Sequence, residues 1–162
     1  GRGVARLEPP DRARLDLFLD NGEQVAEAVL VGDELRIPSW VEVGMIPPPP
    51  LLWASLGVFN PGETATFVDL RGGASQQQAS YDLVGGDRIR YSIEGRRIVH
   101  VSVLRDGDQI RTMSVDEPGP ASRHPDAATY RDIPDFRELK VRLEAVEHPD
   151  SFPPDIWGEP NR

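Results

Sequence analysis

Polar and apolar residues alternate with a period of two along most of this chain, and turn dipeptides interrupt the alternation at short intervals. In "RARLDLF" (12–18), Ala13, Leu15 and Leu17 share one face, and Arg12, Arg14 and Asp16 share the other. Asn21-Gly22 turns the chain into "QVAEAVLV" (24–31), and Gly32-Asp33 turns it again into "ELRIP" (34–38). Asn-Gly favours a tight hairpin because both central residues of a type I′ turn need positive φ. Further strands are expected in "TATFVDL" (64–70), "SYDLV" (80–84), "DRIRYSI" (87–93), "RRIVHVSVLR" (96–105) and "QIRTMSV" (109–115). Gly85-Gly86, Glu94-Gly95 and Asp106-Gly107 separate the later ones. "GGASQQQA" (72–79) reads as a flexible polar loop and "EPGPASRHPDA" (117–127) as a second long loop. The last strand is "FRELKVRLEAVE" (136–147), with Leu139, Val141, Leu143 and Ala145 opposite Glu138, Lys140, Arg142 and Glu144. Its clean apolar side suits a sheet that is wet on one face. With the opening "GRGVARLE", roughly ten strands result. Their spacing describes an antiparallel meander, because βαβ units need long crossovers. A sheet of that size curls toward a barrel or splits into a sandwich. The fold class is therefore mainly β.

One stretch breaks the alternation. "GMIPPPPLLWASLGVFNPGE" (44–63) carries four consecutive prolines, and no charged residue occurs from Val43 to Gly62. Its continuous apolar part is too short to span a bilayer, which takes about twenty residues. A short helix fits, with Pro50 in its first turn and Asn60-Pro61-Gly62 ending it. In helical geometry Leu52, Leu56 and Phe59 form one stripe, while Leu51, Trp53 and Val58 lie around the sides. So apolar a helix must be covered on several sides or must cover something itself. It is either a plug within ordinary core or a movable lid over an apolar cavity. Trp53 and Met45 would give a lid an adaptable, lipid-contacting surface. Periodicity leaves both readings open.

Composition narrows the partners. The 162 residues form one expected domain, large enough for a real core, with 38% hydrophobic residues and mean hydropathy of −0.43. A net charge of −9 and a pI near 4.8 argue against nucleic acid and against adhesion to anionic head groups. Any membrane relationship would be hydrophobic. The chain has no cysteine, which removes disulfides, thiolate nucleophiles and cysteine-bound metals. Its abrupt opening at Gly1, on a strand, leads us to expect either a processed or an artificially chosen boundary, before which an export signal could have stood.

The residues offer little for catalysis. His100 lies inside "IVHVSVL", on the face shared with Ile98 and Ser102, and reads as a structural strand histidine. His124 and His148 each precede a proline and read as turn residues. No histidine pair has zinc spacing, Asp106, Asp108 and Asp116 lack a calcium-loop pattern, and no nucleophile elbow occurs. The glycine pairs of "GGDRIR" and "RGGAS" lead into no helix and so make no phosphate loop. No cofactor, metal or enzymatic activity is expected.

The order of features resembles the LolA/LolB-type lipoprotein carrier family, and in particular its divergent outer-membrane lipoprotein relatives. A glycine-led strand and proline turn, "GRGVARLEPPDRARLDLF", precede "NGEQVAEAVLVGDELRIP". A proline-led apolar helix, a meander and the closing "FRELKVRLEAVEHPDSFPPDIW" follow. The resemblance implies a curled antiparallel sheet forming an incomplete, half-open β-barrel, with one or two short helices as plug or lid. It spans residues 1–162 as a single domain, with a proline-rich tail over 148–162. The family's cavity takes acyl chains of lipids or lipoproteins. Carried over, Leu15, Leu17, Leu139, Val141 and Leu143 would line it, and Ile46, Leu51, Leu52, Trp53, Leu56 and Phe59 would form the lid region. The implied protein is a monomer in the periplasm or at the periplasmic face of the outer membrane, with a lipid-anchored full-length form left open. A protein partner in the envelope, bound by a structural module with a filled core, is the alternative. The family's helix before the first strand is absent from the sequence given.

Overall fold

The computed structural model describes residues 1–8, 10–41, 44, 46–118 and 123–158. They form two compact units, residues 1–49 with 148–162 and residues 50–147. Both are built on antiparallel meanders.

The first unit is a four-stranded sheet of β1 (Arg2–Glu8), β2 (Arg12–Phe18), β3 (Gln24–Val31) and β4 (Glu34–Arg36), paired in chain order. The alternation works as expected on one face. Leu15 stands opposite Ala5 and Ala28, and Leu17 opposite Gly3 and Ala26. A Cβ at Gly3 would lie 2.8 Å from Leu17 Cδ2, so glycine at the head of β1 makes room for that leucine. The other face departs from expectation. Asp16 and Glu27 sit directly across from each other and are buried, at 5% and 3% exposure. Facing carboxylates repel, and Arg14 resolves the conflict by donating to both. Arg6 donates to Asp16, and the Gln24 amide reaches both acids.

The cover over this charged face is the proline-rich tail. A 3₁₀ turn over Pro154–Trp157 lies on β2 and β3, with Phe152 and Trp157 in an edge-on ring pair. The tail lies across the two central strands rather than against a sheet edge. Arg14 Nη1 donates to the Ile156 carbonyl at 3.0 Å, and Arg36 Nη1 donates to the Trp157 carbonyl at 3.2 Å. Two arginines thus satisfy backbone carbonyls of a segment that makes no ladder.

The second unit carries α1 (Pro49–Ser55, with Pro49 closing the first unit) and seven strands. These are β5 (Thr66–Gly72), β6 (Gln76–Asp82), β7 (Arg88–Glu94), β8 (Arg97–Arg105), β9 (Asp108–Val115), β10 (Ala127–Asp132) and β11 (Arg137–Arg142). They pair in sequence from β5 to β11, leaving those two as edges. Ile89, Tyr91, Val101, Val103, Met113, Ala128 and Tyr130 form one buried face, against which Leu51 and Ala54 of α1 pack.

Several expectations need correction. The glutamines of "GGASQQQA" belong to β6, since Gln76, Gln77 and Gln78 pair with Glu94, Ile93 and Ser92. β10 was hidden by the preceding Pro- and Gly-rich run; of that run, 119–122 lie outside the described residues. β11 ends at Arg142 rather than near residue 147. Its partner strand begins at Ala127, and the last link is Leu143 N–H to the Asp126 carbonyl at 2.8 Å. Being an edge strand, β11 leaves Val141 and Leu143 exposed, so its apolar side is not covered as expected. His100 does not share a face with Ile98. A register shift pairs Ile93 with Ile98 and Ser92 with His100, so Val99 is the extra residue and the two side chains part.

The helix is also shorter than expected. Gly57, at φ +80°, ends it in a Schellman motif. Gly57 N–H bonds the Ala54 carbonyl at 2.9 Å and Val58 N–H bonds the Trp53 carbonyl at 2.9 Å. The stripe Leu52, Leu56, Phe59 therefore does not form. Leu51 and Ala54, three apart, face the sheet instead. No helix among the described residues is long and apolar enough to cross a membrane.

Candidate functional site

The first unit holds Leu15, Leu17 and Ile46, and the second holds the other eight candidate residues. Leu15 and Leu17 are half-buried on the apolar face of β2, each flanked by alanine or glycine. Ile46 is buried, whereas Met45 lies outside the described residues. Leu51, Leu52 and Trp53 are buried within α1, and Leu56 is half-buried at its end. Leu139 packs at the margin of the seven-stranded core, with Val141 and Leu143 beyond it at 37% exposure each.

Phe59 is 42% exposed and stands in an aromatic group that the sequence pattern did not assemble. Its ring lies 4.6 Å from Tyr91 and 5.9 Å from Tyr81, and Phe67 lies 5.5 Å from Tyr81. Tyr91 is fully buried and donates its hydroxyl to the Asn60 carbonyl at 3.0 Å, tying the segment after α1 to the sheet. Phe67 and Leu70 on β5 are 57% and 56% exposed. Phe67 pairs with Tyr81, which pairs with Ile89; Leu70 pairs with Ala79, which pairs with Tyr91. The edge strand therefore extends the buried apolar face into solvent. The single tyrosines of "SYDLV" and "RYSI" were the available signal. The bulge at Val68 obscured Leu70, because it places Phe67 and Leu70 on one face despite their odd spacing.

Further along the same sheet the face becomes polar. Asp132, buried at 5%, accepts from Arg111 Nε at 2.7 Å and from the Tyr130 hydroxyl at 3.3 Å. Burial pushes the Asp132 carboxyl up, but Arg111, the Asp135 backbone N–H and Tyr130 together hold it below its ordinary value. Burial, reinforced by the Asp132 charge, pushes the Tyr130 hydroxyl up to about 12. This ion pair anchors β9 to β10. On the opposite side of the sheet, His100 Nδ1 lies 3.3 Å from Ser114 Oγ, and burial lowers its pKa. No carboxylate joins that pair, and among the described residues no group of three or more His, Asp or Glu side chains could hold a metal. What the Phe59, Phe67, Leu70 and Tyr81 row offers is an apolar and aromatic surface running from core to solvent.

Comparison with protein-family models, with curated proteins and with solved structures found no match to this chain.

Proposed function

We propose that this chain is a non-enzymatic binding protein for the acyl chain of a lipid or lipoprotein, working at the periplasmic face of the outer membrane or in the periplasm. In this reading the sheets curl as an incomplete, half-open barrel of the LolA/LolB type. The single observation that supports it is the continuity of the aromatic group. From buried Tyr91 through Tyr81 to Phe59, Phe67 and Leu70, one face passes from core to solvent without a charged side chain in the row. Exposed apolar surface of that kind commonly marks an interaction site, and aromatic side chains present large contact area with few rotatable bonds.

The test is binding of a fluorescent fatty-acid probe, joined with native mass spectrometry of the purified chain. Phe67→Glu and Leu70→Glu place a charge on exposed positions of that row, so the protein should stay folded while probe binding is lost. Absence of co-purified lipid, together with no probe binding, would remove the carrier reading.

A second reading is an assembly module with a filled interior. It is favoured by Leu51, Trp53 and Ala54, all at 0% exposure, which is the burial that a plug would have. Under it, Leu52→Glu unfolds the protein and neither β5 variant changes any lipid binding.

A further inference from the structure

At one end of the seven-stranded sheet, residues 96–99 at the start of β8, residues 115–118 at the end of β9, and Arg123 and Pro125 line a pocket of about 100 Å³. That volume holds several waters or one small head group, and is far below that of a drug-sized site. Its floor is apolar, from Ile98, Val115 and Pro125. Gly57, at the end of α1, closes one side so tightly that a Cβ there would lie 3.1 Å from Pro125 Cδ.

The rim is cationic in a chain whose net charge is −9. Arg96, Arg97 and Arg123 all line the pocket, with Asp116 and Glu117. Arg97 is used, since its Nη2 donates to Glu117 at 2.7 Å. Arg96 and Arg123 have no hydrogen-bond or ion-pair partner among the described residues. Among the described residues, Arg96, Arg123 and Asp116 thus line the pocket with no side-chain partner. A guanidinium presents a planar fork of donors that fits phosphate or carboxylate oxygens two at a time. Exposed arginines gain little from isolated surface pairing, but two that line one small pocket together with Ile98, Val115 and Pro125 suit an oxyanion whose other end is apolar.

We propose that this pocket is a binding site for the oxyanion of a small amphipathic ligand, a phosphate or carboxylate head group gripped by Arg96 and Arg123 above Ile98 and Val115. The proposal goes beyond the lipid-binding reading, since the pocket shares no residue with the Phe59, Phe67 and Leu70 row, and rests on that reading for the acyl part alone.

The experiment titrates the whole chain by calorimetry with three probes: inorganic phosphate, a short-chain soluble phosphatidate, and a neutral fluorescent acylglycerol. The double variant Arg96→Gln/Arg123→Gln removes both forks, and Arg96→Lys/Arg123→Lys keeps the charge without the fork. Neither arginine has a partner to lose among the described residues, so both variants should retain the native circular dichroism spectrum. The glutamine variant should bind the anionic probes at least about tenfold more weakly, the loss expected for charge-assisted hydrogen bonds. The lysine variant should fall between, and wild-type binding should weaken as salt is raised. Binding of phosphate alone identifies a free oxyanion as the ligand; binding of phosphatidate but not phosphate identifies a lipid head group. If no anionic probe binds, or if the glutamine variant binds them as the wild type does, the site is refuted. Failure of the neutral probe alone would overturn the acyl reading and leave the oxyanion site standing.

Discussion

Gly57 decides where α1 stops. Its φ of +80° costs an L-residue roughly 1–2 kcal/mol, and its Cα faces Pro125 with little space for a methyl group. Gly57→Ala should lower stability by about that amount or more, measured as a shift in the urea midpoint. An unchanged midpoint would show that the helix end is not constrained. His100 makes a different contribution. Burial lowers its pKa from the ordinary 6.5, so the unfolded chain takes up a proton at higher pH than the native one. Its favourable contribution is thus complete above pH 6.5 and is lost as pH falls through the native pKa. Wild-type stability should fall as the pH drops below 6.5 and through the lowered native pKa, and the fall should be smaller in His100→Gln, whose side chain does not titrate. Equal slopes would assign the acid sensitivity elsewhere, for instance to the paired carboxylate of Asp132, which acts lower on the pH scale because its native pKa lies below 3.8.

At the scale of elements, the alternation "RARLDLF" was read correctly for its apolar side and incompletely for its polar side. Period two says that Arg14 and Asp16 share a face; it cannot say that a segment more than 130 residues away will cover them. The tail lies on that face, where the buried Asp16 and Glu27 depend on Arg14. Removing one member of a buried ionic group leaves the rest uncompensated, at about 3–5 kcal/mol. Arg14→Ala should approach that range, since Arg14 itself keeps 19% side-chain exposure, and should release the tail to proteolysis near Phe152. A resistant tail would mean that the carbonyl contacts of Arg14 and Arg36 are dispensable. Strands flagged by a glycine turn on both sides, such as β7 and β8, were legible. β10 was not, because a proline-rich run hid its start and its six residues carry one strong apolar signal, Tyr130. The candidate site was legible in part: Leu51 and Phe59 were singled out, but Phe67, Tyr81 and Tyr91 come together only through the register of three strands.

At the scale of the whole molecule, the eleven strands among the described residues lie in two open sheets, so edges remain. An open edge with apolar side chains is a template for another chain, and β5 presents Phe67, Val68 and Leu70 there. The register of β5 contains the countermeasure. Phe67 pairs with Tyr81 and Asp69 with Ser80, leaving Val68 as an unpaired extra residue. Deleting Val68 would keep every one of those pairs while straightening the outer rim into an uninterrupted row of donors and acceptors. The shortened chain should elute earlier on size-exclusion chromatography and bind an amyloid dye at concentrations where the parent does not; coincident elution would assign the protection to Asp69 and Arg71 instead. One valine that pairs with nothing is, on this view, what lets a sticky surface stay available for a ligand without also recruiting copies of itself.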